Sequence, residues 1–237
     1  MPNCRAYDPA FAYEVGVLVR DGIRRMYGGP NEDCFYYLAL YNENYPQPPM
    51  PAGVEEGIVR GLYRYRAAPE PRSHRAQILA SGPMMLHALE AQTMLAEHHD
   101  VAADVWSVPG WKQLRDDALD VERWNRLHPA ESPRTPYVTQ QLGGTDGPLV
   151  AVTDWVKSVP DSIARFVPQP YVVLGTDGYG FSDVRSALRR HFEVDAAHVT
   201  VGVLQGLART GDLKPETVAD AIRRYEIDPE RVDPRQA

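Results

Sequence analysis

The sequence is poor in the features that would place it quickly. It has two cysteines, Cys4 and Cys34, and no Cys-x-x-Cys pair, which excludes a disulfide framework and a thiolate metal cage in a chain of 237 residues. Both read as reduced, buried thiols. No apolar run approaches the roughly 20 residues that cross a bilayer, so no membrane is expected as a partner. The N-terminus, MPNCRAYDPAFAYE, lacks the apolar core of a secretion signal, so a cytoplasmic location is expected. Basic residues are outnumbered, 25 against 32 acidic ones, and form no stripe, which argues against nucleic acid as a partner. Gly-x-Ser-x-Gly, His-Glu-x-x-His and a phosphate loop ending in Gly-Lys-Ser/Thr are absent. Serine-hydrolase, zinc-peptidase and P-loop readings go with them.

What the chain has in plenty is punctuation. With 21 prolines, 18 glycines and 43% hydrophobic residues, it is read as a real core cut into short elements by marked turns. Asp8-Pro9 signals a helix start, Phe11, Val15, Leu18 and Ile23 give a buried stripe, and Gly28-Gly29-Pro30 ends it. Cys34–Leu40, CFYYLAL, reads as a buried strand, followed by a Pro- and Asn-rich loop over 42–52. A short helix and a strand are expected over 54–65. The tract 67–73, AAPEPRS, is the best linker candidate.

Beyond it the pattern alternates. Strands are expected at 77–80, 103–108, 148–152 and 171–174. Helices are expected at 84–98 (Leu86, Leu89 and Leu95 inward), 111–127 (Leu114, Leu119 and Trp124 inward) and 157–166. Ser182 is read as one helix cap and Asp195 as another, with Gly211 beyond its helix. Pro215 opens a last helix with Val218 and Ile222 inward. Strands separated by helical stretches imply crossovers: an α/β fold with an open, mainly parallel sheet flanked by helices.

Gly175–Gly180, GTDGYG, follows a strand and could offer backbone N–H groups to an anion, such as a nucleotide. Its order, G-x-x-G-x-G, is not the dinucleotide fingerprint, and a tight turn is the plainer reading. Asp177 and Asp183 with Arg185, Arg189 and Arg190 could pair across a subunit contact or form a solvated network. The histidines, His191 among them, lack the placed partners an acid–base role needs. Asn42-Glu43-Asn44-Tyr45 directly follows the strand at 34–40, where functional groups of open α/β sheets gather. These four side chains either line a cleft or hold their own loop in shape.

In order along the chain, YDPAFAYE, YNENYPQPPMPAGVEEGIVRG, DVWSV, ERWNRLHP, AVTDW and LGTDGYGFSDVRSALRRHFEVDA resemble the C-terminal part of the homodimeric bacterial pyruvate dehydrogenase decarboxylating component. This is a thiamine-diphosphate-dependent family of transketolase-like architecture. The resemblance covers essentially the whole chain. It implies that residues 1–66 are the end of a pyrimidine-binding α/β domain and 67–237 a transketolase C-terminal-like domain. It also implies decarboxylation of a 2-oxoacid, with the cofactor's carbanion attacking the ketone, and transfer of the acyl unit to a lipoyl or acyl-carrier protein or, in a biosynthetic carboligase, to another carbonyl.

The family holds Mg²⁺-diphosphate with Gly-Asp-Gly and a downstream Asn. Here Thr176-Asp177-Gly178 departs from that pattern, and no asparagine follows Asn125. No catalytic, cofactor or metal residue is therefore assigned to this chain. Thiamine diphosphate and Mg²⁺ are expected only in an assembled enzyme, bound mainly by a partner chain. The chain is expected to be inactive alone, to self-associate, and to complete a split hetero-oligomeric enzyme. Met1-Pro2-Asn3-Cys4 falls inside a domain, which favours a separately encoded subunit over a truncated piece. Asn42, Glu43, Asn44 and Tyr45, with Asp177, Asp183, Arg185 and His191, are the candidates for an active-site wall or interface. The alternative is a non-catalytic assembly or regulatory module derived from the same domain.

Overall fold

A computed structural model describes residues 1–29 and 31–237. Pro30, read above as part of a helix stop, lies outside the described residues. The chain builds two sheets of unequal size. The smaller has two parallel strands, β1 (Cys4–Tyr7) and β2 (Phe35–Leu38), joined through helix α1 (Ala12–Tyr27). After the loop comes α2 (Glu55–Arg60), closed by Gly61 in the left-handed region at φ 98°, where a Cβ would strike the Gly110 carbonyl.

The larger sheet contains β3 (Tyr63–Arg66), β4 (His74–Ala80), β5 (Val101–Ser107), β6 (Leu149–Val152) and β7 (Tyr171–Leu174), in the order β3-β5-β4-β6-β7. Every pairing is parallel except β3 with β5. The open, mainly parallel α/β sheet is thus as the sequence pattern indicates. Tyr63–Arg66 joins this sheet ahead of the 67–73 tract.

Alternation along β4 and β6 explains the covered faces. Ile78, Ala80, Val150 and Val152 meet α3 (Met84–His98) and α8 (Ala196–Thr210) on one side. Leu79, Leu149 and Ala151 meet α4 (Trp111–Leu127) and α5 (Tyr137–Leu142) on the other. Asp195 caps α8 by accepting from the His198 N–H at 3.0 Å, and Gly211 ends it in the left-handed region.

Five local readings are corrected. Cys34–Leu40 is not buried: β2 alternates between exposed and half-exposed positions, with α1 packed against it. Ile23 faces solvent. Pro160 and Ser162 break the expected 157–166 helix into α6 (Ser158–Asp161) and a 3₁₀ turn at 164–166. Ser182 caps nothing, since α7 (Arg185–His191) starts from Val184 without a side-chain cap. Val218 and Ile222 on α9 (Pro215–Arg224) are only half-buried, and Ala221 is the residue driven inward.

Candidate functional site

The loop after β2 and the helix after β7 lie far apart in sequence and meet at the carboxyl ends of the strands. Arg185 donates to the Asn42 carbonyl oxygen. Arg189 closes a two-pronged pair on Glu43, with Nη1 to Oε1 at 3.0 Å, and Arg185 Nε stands 3.8 Å from Glu43 Oε2. Glu43 and Arg189 are both mostly buried, so the pair is stronger than a surface ion pair and sensitive to loss of either member. The hydrogen bond from Arg189, then the charges of Arg189, Arg185 and His87, hold the Glu43 carboxyl below its usual range.

This clamp closes one side of a cleft of about 380 Å³ lined by Tyr41, Glu43, Asp154, Thr176, Arg185 and Arg189. Burial raises the Asp154 pKa, opposed by Arg189. Asn42, Glu43, Asn44, Asp183 and Arg185 border the open depression beside it.

Three of the expected site residues point elsewhere. The Tyr45 hydroxyl donates to the Ala10 carbonyl and its ring meets Phe11 edge-on at 6.4 Å, so it anchors the loop. Asp177 accepts from the Lys157 N–H at 2.9 Å and fixes a turn. His191 packs between Phe181 and Phe192 and accepts from Arg231 at 3.1 Å. Asp183 accepts from the Val184 N–H next to it. Among the described residues neither Asp177 nor Asp183 pairs with an arginine of α7. Arg190 reaches Asp195 at 3.3 Å and the carbonyls of Tyr225 and Glu226.

Gly178, at φ 103°, lets its loop pack on the Pro234 carbonyl. The Gly175–Gly180 run therefore works as a close-packing turn.

Two buried carboxyls carry no signal in the sequence. Glu14 is fully buried and accepts from the N–H groups of Ala10 and Phe11, from Tyr63 Oη at 2.7 Å and from Ser107 Oγ at 2.6 Å. It stitches α1 to the large sheet. Burial raises its pKa against the pull of the Ser107 and Tyr63 donors.

Asp8 is 4% exposed, and neither of its carboxyl oxygens has a partner in hydrogen-bond geometry. Ser81, Tyr41 and Trp155 are its nearest polar neighbours, and burial pushes it up to about 6. Gly82 leaves it room: a Cβ there would come within 2.8 Å of Asp8 Oδ1. Asp8 sits at the carboxyl ends of the adjacent parallel strands β4 and β6, where the strand order reverses, beside the Ser81–Thr153 hydrogen bond of 3.0 Å. That crevice is where open α/β sheets bind ligands. Here the end of β1 enters it, with Gly82 N–H donating to the Asp8 carbonyl at 3.1 Å.

Among the described residues, the carboxylates Glu43 and Asp177 do not fit a Mg²⁺-diphosphate. Glu43 is committed to arginine and Asp177 to a backbone N–H. No group of three His, Cys, Asp or Glu side chains among the described residues could hold a metal ion. No helix among the described residues is long and apolar enough to cross a membrane.

Residues 61–195 match the transketolase-like TK C-terminal domain, and residues 1–48 the pyruvate dehydrogenase E1 component middle domain. The chain is 47% identical to the pyruvate dehydrogenase E1 component of Escherichia coli K12 over 100% of its own length and 26% of that protein. Against the same component of Mycolicibacterium smegmatis it is 49% identical, over 96% of this chain and 24% of the relative. The chain therefore spans about a quarter of the length of the curated relatives it matches.

Among solved structures, transketolase from Leishmania mexicana shares the fold at a TM-score of 0.61 and 19% identity, over 92% of this chain and 28% of that one. A split-gene transketolase described as an inactive β4 tetramer does so at 0.51 and 19%, over 88% and 58%. The chain belongs to the transketolase-like C-terminal domain family, and it is similar over its whole length to a part of pyruvate dehydrogenase E1 components.

Proposed function

We propose that this chain is the C-terminal part of a thiamine-diphosphate-dependent 2-oxoacid decarboxylase of pyruvate dehydrogenase type, working in the cytoplasm with a second polypeptide that supplies the cofactor domains. The whole-length similarity, with a middle-domain match followed by a C-terminal-domain match, carries this reading. Residues 1–66 would be the end of the pyrimidine-binding domain and 67–237 the C-terminal domain, with Tyr63–Arg66 lent to the latter's sheet.

The chemistry that thiamine diphosphate supplies would lie with the chain that holds it. This chain contributes a wall. Arg189 keeps Glu43 ionised and still, so the 41–44 loop stands at a fixed height over the cleft. Arg185, more than half exposed, remains the cation best placed to meet an anionic substrate or the acyl acceptor, a lipoyl or carrier-protein arm.

Thiamine-diphosphate binding, measured calorimetrically with Mg²⁺, tests the proposal. The purified chain is expected to give no heat of binding. Co-expression with the part of the Escherichia coli relative that this chain does not match is expected to yield a complex that binds it. Binding by the chain alone, or no complex, contradicts the proposal. A complex that assembles without binding favours a non-catalytic assembly module.

A further inference from the structure

We infer that residues 179–193, with α7 at their centre, are a gate on the cleft, latched by Glu43 and by the C-terminal tail after α9. The gate rests on the proposed role of the cleft as part of the working site, whereas its motion is measured on the backbone itself.

The segment is fixed at both ends and lightly held between them. Before it, Thr176 Oγ1 donates to the Asp154 carbonyl at 2.7 Å and Asp177 takes the Lys157 N–H. After it, Val194 is wholly buried and Asp195 caps α8. In between, no side chain of α7 is buried among the described residues. Isolated helices shorter than roughly 12–15 residues are marginal in water. The seven residues of α7 therefore depend on what grips them from outside.

Those grips are polar and come from two directions. Arg185 and Arg189, four apart and so on one face, reach the Asn42 carbonyl and the Glu43 carboxylate. Arg190 and His191 lie round the helix from them and reach the tail. Arg190 donates to the carbonyls of Tyr225 at 2.7 Å and Glu226 at 2.6 Å, and His191 accepts from Arg231 at 3.1 Å. Farther along, the Pro234 carbonyl packs against Gly178. Tyr225, Glu226, Arg231 and Pro234 are all exposed or half-exposed, so this latch comes off without opening the core.

Both ends of the segment are built to turn. Gly178 stands at φ 103° with Gly180 close behind, and Glu193, at φ 59°, holds a left-handed conformation that other residues than glycine seldom take. Closing segments hinge on such residues at the ends of elements. Gly180, Phe181, Arg185, Leu188, Arg189 and Phe192 all line the cleft, so swinging the segment out opens that wall and carries Arg185 with it.

Amide hydrogen exchange resolved to single residues tests the gate, on the full chain and on the chain lacking residues 229–237. The N–H groups of Leu188 and Phe192, bonded to the carbonyls of Val184 and Leu188, report α7. Val203 and Leu204, wholly buried in α8, report the core. In the full chain the α7 amides should exchange at least about a hundredfold faster than those of α8, through openings that leave the core closed. Removing the tail end should speed them about tenfold more and leave α8 unchanged. Arg231→Ala should give a smaller change in the same direction. Glu43→Gln, which weakens the other latch, should also speed α7 and add to the truncation.

In the full chain, α7 amides as slow as those of α8 overturn the gate, because the segment then opens only with the whole fold. Amides of α7 that ignore the truncation overturn the latch. Equal acceleration of α7 and α8 makes the tail part of the core and overturns the inference as well. The cofactor-binding measurement that tests the proposed function is independent of all three outcomes, so each can fail without the other.

Discussion

The two sheets of this molecule are made of the same kind of strand and differ in how far they are finished. In the larger one, Ile78, Leu79, Val150 and Ala151 are wholly shielded, with helices on both faces. In the smaller, the run FYYL alternates between open and half-open positions. The carboxyls follow the same division. Glu14, on the seam with the large sheet, has four donors, whereas Asp8, at the end of the small sheet, has none in bonding geometry. Strands of similar composition thus differ in burial with what is packed on their faces.

The largest expected effect lies in the finished sheet. Leu79→Ala removes a side chain from a site with no solvent contact and should cost about 2–5 kcal/mol in urea unfolding. Glu14→Ala leaves two hydroxyls and two backbone N–H groups without their acceptor and should cost about 3 kcal/mol.

Asp8 sharpens the contrast through pH. Its folded pKa of about 6 lies above the unfolded value of 3.8, so its contribution to stability is fully present below 3.8 and lost as pH rises through about 6. At pH 7 the loss is about 3 kcal/mol. Asp8→Asn should flatten the pH dependence of unfolding between these values. An unchanged slope would mean that the carboxyl is partnered.

Smaller still, Arg189→Ala should cost about 1–2 kcal/mol and speed amide exchange in the 41–45 loop. Tyr37→Ser, on the open face, should stay within about 0.5 kcal/mol of the parent in the same urea assay.

Much of the finished part was legible because its periodicity is local. The strands read at 77–80 and 148–152, the α8 cap at Asp195 and its glycine stop follow from neighbours within a few residues. The misreadings have physical causes. CFYYLAL is composed for burial, but among the described residues its strand alternates between exposed and half-exposed positions. Tyr137–Leu142 went unread because a proline-rich stretch up to Pro136 hides its start, and Pro160 cuts a helical pattern that otherwise runs on.

At the candidate site, the Glu43–Arg189 clamp joins residues 146 apart, a distance across which no spacing rule speaks. Asp8 and Asp154 resemble ordinary turn residues, and only burial sets them apart. Tyr45, Asp177 and His191 sit within the stretches of chain singled out from the sequence, but their side chains serve loop and turn packing.

The most direct test of the two-polypeptide account is a titration of pyruvate decarboxylation, with Mg²⁺ and thiamine diphosphate in excess. Increasing amounts of the complementary chain are added to a fixed amount of this one. The account predicts no turnover at zero complement and a rise to a plateau at equal numbers of the two chains. Turnover by this chain before any complement is added would contradict it.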